Sequence, residues 1–168
     1  VESEYCAILL EEIKQRVKQT QSPIKLNSIF YGGGTPSVVA PENLRSIHQG
    51  LLELVECSDD AEITIESTPH SITKEKAQFW RDLGINRISI GIESLRDEEL
   101  SAIGRDHNSS QAYAGIELAC QADFPVISLD FMYSLPTQTL ERWQKTLDEF
   151  VELASCREQI KHVSAYGL

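Results

Sequence analysis

The chain has 168 residues, 41% apolar and 24% charged, with 26 Asp and Glu against 15 Lys and Arg for a net charge of −11. This composition is that of an ordinary globular protein and excludes a disordered, collagen-like or fibrous chain. No run approaches the ~18 apolar residues of a membrane helix, and the acidic balance argues against nonspecific binding to nucleic acid or to an anionic membrane.

The length suits one domain, or a piece of one. Tyr5, Leu9, Ile13 and Val17 recur on one helical face. Ile29-Phe30-Tyr31 reads as a short buried strand that runs into Gly32-Gly33-Gly34-Thr35-Pro36. Pro41 and Glu42 suit a helix start, and Leu44, Ile47, Leu51 and Leu54 continue on one face. Residues 62–66 alternate as a strand. A helix over about 73–83 buries Ala77, Trp80 and Leu83 and stops at Gly84. Residues 88–93 form the next alternating strand. Asp97, Glu98 and Glu99 put negative charge at a helix start, and Gly104 ends that helix. Ala112, Ile116 and Ala119 mark another helix, 127–131 a fourth strand, Leu140, Trp143, Leu147 and Phe150 a long helix, and 162–166 a fifth strand.

Strands thus begin near 27, 62, 87, 126 and 162, about 25 to 39 residues apart with a helix in each interval. That is a βα repeat with a parallel sheet. The leading helix calls for a strand before it. The start at Val1, and an end at Leu168 straight after a strand, lead us to expect an excised piece of a longer protein.

The strand phases carry more. One phase holds Ile63, Ile65, Ile88, Ile90, Ile92, Ile127, Leu129 and Phe131, suited to packing under outer helices. The other holds Thr64, Glu66, Ser89, Gly91, Glu93, Ser128, Asp130, Ser164 and Tyr166. A closed eight-stranded barrel fills its interior with bulky branched residues. A small or acidic interior instead implies a wider or partly open barrel with a polar cavity, its site at the C-terminal strand ends. Three carboxylates on that face, Glu66, Glu93 and Asp130, raise one another's pKa without a cation nearby. Arg105, a cationic ligand or a metal are the candidates. Each acid capping a helix or pairing locally is the plainer account. A tight turn explains part of Gly32-Gly33-Gly34, but three consecutive glycines exceed what a turn requires and favour a ligand. His107 reads as a capping or surface residue, and Trp80 and Trp143 as packing. Cys6, Cys57, Cys120 and Cys156 lie at least 36 residues apart. They read as four reduced thiols of a cytoplasmic protein.

Five segments together carry a resemblance. They are Gly32-Gly33-Gly34-Thr35-Pro36-Ser37, residues 62–66, residues 84–91, Gly104-Arg105-Asp106-His107, and residues 130–139. In that order they resemble the core of radical-SAM proteins, in the branch that holds oxygen-independent coproporphyrinogen III oxidase and its heme-chaperone relatives. Ser37, Ser94 and the Gly104–His107 motif lean toward the heme chaperones. The resemblance implies a partial (β/α)6 barrel, here with about five strands and the first missing, so that residues 1–168 are part of the core domain without its cluster loop and C-terminal domain. It implies S-adenosylmethionine bound to a [4Fe–4S] cluster and cleaved, after electron transfer, to methionine and a 5′-deoxyadenosyl radical. By position Gly33, Gly34 and Thr35 match the glycine motif at the methionine end. Glu66 matches a carboxylate that contacts S-adenosylmethionine, and Glu93, Arg105 and Asp130 match further positions of the nucleotide site. The implied partners are heme or another tetrapyrrole, heme-accepting proteins and an electron donor.

Three departures stand out. The family's Cys-x3-Cys-x2-Cys motif is absent from these residues, and Cys6 has no partner cysteines. Glu93 replaces a usual Gln. Ser134 and Thr137 stand where Gly is common, which stiffens that loop. A heme chaperone is the leading expectation, with the oxidase as the alternative. A cluster-free protein that holds S-adenosylmethionine or heme without turnover, and a cofactor-free enzyme using the carboxylates with Arg105, remain as other classes.

Overall fold

The computed structural model describes residues 1–168. Helix α1 (Glu2–Lys18) leads into β1 (Lys25–Tyr31), α2 (Pro41–Leu52), β2 (Glu56–Ser67), α3 (Lys74–Asp82), β3 (Arg87–Glu93), α4 (Asp97–Ala102), α5 (Ser109–Gln121), β4 (Val126–Tyr133), α6 (Leu140–Cys156) and β5 (Ile160–Gly167). The five strands pair in sequence order and all are parallel. Side chains cap the starts of three helices, α3, α5 and α6. Thr73 accepts the Lys76 amide, Thr139 the Arg142 amide, and Asn108 forms a capping box with Gln111.

The sheet's outer phase is the core. Ile65, Ile88, Ile90, Ile92, Ile127, Leu129 and Phe131 are each 0% exposed, and Trp80, Ala77, Ala112, Ile116 and Phe124 pack in the same cluster. Burying each such aliphatic side chain stabilises by about 1.5–3 kcal/mol. The alternate phase faces the concave side and stays polar. The expected parallel half-barrel is therefore observed, with the expected segregation of its two faces.

Three local expectations shift. Strand β2 starts at Glu56, six residues before the alternating stretch, because Lys25 and Leu26 pair with Glu56 and Cys57 before the register slips between Leu26 and Ser28. Such polar residues carry no strand signal of their own. Leu140, placed on the buried stripe of the long helix, is 83% exposed, while Thr146 and Leu153 are buried instead. Tyr5 heads the predicted stripe of α1 but lies on the rim of an open apolar groove of about 360 Å³ between α1, β1 and α2; Cys6 is the buried residue there.

Core and surface aliphatics separate in a denaturation test. Ile90→Ala in the full-length protein lowers unfolding free energy by about 2–5 kcal/mol. Val151→Ala, on the exposed outer face of α6, changes it by less than about 0.5 kcal/mol. Equal losses in urea unfolding contradict this packing.

Candidate functional site

The C-terminal strand ends converge on a cavity of about 230 Å³. Its lining includes Gly34, Thr35, Glu66, Glu93, Arg105 and Asp130. Gly33 joins through its amide, which donates to Glu66 Oε2 at 3.2 Å. The structure thus brings together all seven residues singled out from the sequence.

The glycine loop is shaped by what its neighbours leave free. Gly33 and Gly34 have φ of +84° and +140°, a region L side chains avoid, with open space where a Cβ would stand. At Gly32 a Cβ would come within 2.5 Å of the Phe30 ring and 2.8 Å of Glu66 Oε2. The bare backbone therefore lets β1 approach Glu66.

The three acids have different surroundings. Glu93 is 4% exposed. Arg105 Nη2 donates to its Oε1 and Tyr166 Oη to its Oε2, both at 2.5 Å. Burial nevertheless lifts the Glu93 carboxyl above its ordinary value, against the pull of Tyr166 and Arg105, and the charge of Asp130 pushes the same way. Tyr166 is also pushed up, by burial and then by the acid beside it. Glu66 and Asp130 touch no cation. Asp130 accepts from Ser89 Oγ at 2.6 Å and from Ser128 Oγ at 3.3 Å. Arg105 therefore answers for one acid, and local pairing accounts for that acid alone.

Backbone strain rings this rim. Glu93, Ser134 and Thr137 have φ of +63°, +62° and +68°. Such left-handed residues persist where surrounding contacts over-determine them. The Ser134 and Thr137 values show why glycine suits those positions. Below the rim, the Glu99 carboxylate is fully buried; its Oε2 accepts from Ser94 Oγ at 2.6 Å and from Gln138 Nε2 at 3.0 Å. It ties the loop after β3 to the loop after β4. The sequence marked Glu99 only as helix-start charge.

His107 corrects an expectation. It is buried, and its Nε2 lies 3.1 Å from the Ile92 carbonyl, so it braces the bend at Glu93 instead of facing solvent. Ser89 and Tyr166 belong to the site but were read only as members of the polar phase. That phase was the signal that could have found them.

The chemistry of the cavity suits a ligand with positive charge and several donors. Two unneutralised carboxylates and a backbone cradle fit the sulfonium, ammonium and hydroxyls of S-adenosylmethionine. The cysteines do not fit a cluster. Cys6, Cys57, Cys120 and Cys156 are unbridged and lie on different elements, and no three metal-ligating side chains come together.

The family model described as Radical SAM superfamily matches residues 7–150. The chain belongs to the radical SAM superfamily. Membership implies S-adenosylmethionine and a [4Fe–4S] cluster as the family's cofactors. The chain is 35% identical to heme chaperone HemW of Haemophilus influenzae over 170 residues, covering 99% of this chain and 43% of that protein. It is 31% identical to heme chaperone HemW of Bacillus subtilis, covering 98% and 42%. Among solved structures, coproporphyrinogen III oxidase (HemN) from Escherichia coli, a radical SAM enzyme, superposes with a TM-score of 0.85 at 26% identity, covering 99% of this chain and 37% of that one. The chain spans about two fifths of the length of these relatives. No helix is long and apolar enough to cross a membrane.

The Glu93 environment sets a pH dependence. An acid whose folded pKa is raised adds stability that is complete below its ordinary value of 4.5 and is lost as pH rises through the folded value. Glu93→Gln removes this titration. The stability of the parent relative to Glu93→Gln therefore falls as pH rises from about 4 toward 7. Denaturant midpoints of both proteins across that range check it; a parent advantage that grows with pH is the opposite result.

Proposed function

We propose that this chain is the S-adenosylmethionine-binding part of a radical SAM protein of tetrapyrrole metabolism, and that the protein is a heme chaperone. One observation carries the cofactor assignment. Glu66 meets the Gly33 amide at a strand end, inside a cavity whose other free acid, Asp130, also lacks a cation.

In this reading the amides and open space of Gly33, Gly34 and Thr35 receive the methionine end. Glu66 accepts from the ligand's ammonium and complements its charge. Asp130 accepts from hydroxyl donors of the nucleoside. Glu93, already engaged by Arg105 and Tyr166, shapes the wall and is half of a neutral pair. When bound, S-adenosylmethionine and the cluster supply the radical chemistry; the protein orients and shields. The cluster's ligands belong outside residues 1–168, as does the C-terminal domain, in keeping with the share of the relatives that the chain covers. Four unbridged thiols support a cytoplasmic location. The relatives named heme chaperone support heme as the cargo, with heme-accepting proteins and an electron donor as partners.

A second reading, oxygen-independent coproporphyrinogen III oxidase, is supported by the superposition on that enzyme. The two separate in the full-length protein. A heme chaperone binds heme stoichiometrically, seen in its Soret absorption, and leaves coproporphyrinogen III intact under anaerobic, reducing conditions with S-adenosylmethionine. Decarboxylation of that substrate supports the oxidase.

Glu66 tests the cofactor site itself. Charge-assisted hydrogen bonds contribute about 1.5–3 kcal/mol, so Glu66→Gln in the reconstituted full-length protein weakens S-adenosylmethionine binding roughly 10- to 150-fold. Asp59→Asn, at an exposed position in the first half of β2, changes it little. Calorimetric titration reads both. Unchanged affinity in Glu66→Gln removes the assignment.

A further inference from the structure

Beneath Asp130 the concave face carries a contact chain that the cofactor reading leaves unused. Ser128 of β4 is fully buried and lies in register with His162 of β5. Its Oγ stands 2.8 Å from His162 Nδ1 and 3.3 Å from Asp130 Oδ1. On the other side Ser89 Oγ donates to Asp130 Oδ2 at 2.6 Å. A serine hydroxyl has one proton to give. If His162 Nδ1 is a bare acceptor, Ser128 must choose between the imidazole and the carboxylate. Both contacts are hydrogen bonds together only if Nδ1 carries a proton and donates to Ser128.

We propose that His162 is a positioning residue for the ligand cavity: its Nδ1–H donates to Ser128, which donates in turn to Asp130 and fixes that carboxylate. This rests on the reading of the cavity as the S-adenosylmethionine site and adds a residue that does not touch the ligand. Its consequence is geometric. With Ser89 on one oxygen and Ser128 on the other, the plane of the Asp130 carboxylate is set, and the remaining lone pairs are presented to ligand donors. Without the proton on Nδ1, Ser128 turns to His162. Oδ1 then loses its partner, and the terminal carboxylate torsion, which is intrinsically broad, is held from one side only. No other side chain competes for the position. The other charged residues on the concave face include Arg87 of β3, which pairs with Glu62 of β2 at 2.8 Å, the Glu93–Arg105 pair at the rim, and Glu66, which shares the cavity with Asp130.

His162 is exposed, so its replacement leaves the core untouched. The test has two arms in the full-length protein. Selective ¹⁵N-histidine labelling with long-range ¹H–¹⁵N correlation reads which ring nitrogens of His162 are protonated; a protonated Nδ1 is expected, and a bare Nδ1 overturns the proposal. The second arm is calorimetric titration with S-adenosylmethionine. His162→Phe cannot donate and weakens binding roughly 3- to 10-fold, the effect of one neutral hydrogen bond. His162→Asn, whose amide nitrogen falls near the Nδ1 position, restores affinity to within about twofold. Parent-like binding by the Phe variant, or an Asn variant as weak as Phe, overturns the proposal. Failure of the parent to bind S-adenosylmethionine instead sinks the cofactor reading, and the nitrogen correlation still decides the hydrogen-bond chain.

Discussion

Side chains alternate across a strand, and in β2, β3 and β4 the alternation runs in phase from strand to strand. Ile65 pairs with Ile88, Ile88 with Ile127, and Ile90 with Leu129. This ladder of branched residues has to be buried, and residues of α2, α3, α5 and α6 share its core cluster. Once it is committed outward, the intervening residues have no choice but the concave side. The polar cavity is the other half of that hydrophobic pattern. The register sets Glu66 level with Ser89, and Gly91 level with Asp130 two residues further on, so the paired strands collect all four on one face.

The cavity's electrostatics follow from its depth. A carboxylate taken out of water needs a partner or a proton. Glu93, the deepest of the three, has both a cation and a phenol donor, and burial still raises its pKa. Glu66 and Asp130, half-buried, are held by an amide and by hydroxyls, which orient charge without cancelling it. A site so arranged is neutral on one wall and anionic on the other. In the proposed reading the anionic wall meets both ends of the ligand, Glu66 the ammonium and Asp130 the hydroxyls.

The sequence exposed this pattern wherever the information was periodic. Ile88, Ile90 and Ile92 announce both their strand and its buried face, and Pro41 and Glu42 announce the start of α2. Glu66, Glu93 and Asp130 could be placed on one face by counting in twos. What periodicity does not encode was out of reach. The first half of β2 exists because β1 offers it a partner across 31 residues. His107 and Glu99 look like ordinary loop and helix-start residues, and their burial depends on how neighbouring loops fold over them. Tyr166 reaches Glu93 across 73 positions; the phase of β5 put it on the right face, but only the curl of the sheet brings it close.

Strand order matches chain order throughout. Each new βα unit can therefore dock on the edge left by its predecessor, with no crossing and no wait for a distant segment. Such a sheet can grow as the chain leaves the ribosome, N-terminal units first. The cavity behaves differently from the sheet. It draws Gly34 from the loop after β1, Glu66 from β2, Glu93 from β3, Asp130 from β4 and Tyr166 from β5. Its wall closes only when the last of these strands has paired. In this order of assembly the hydrophobic core can form before the cavity is complete.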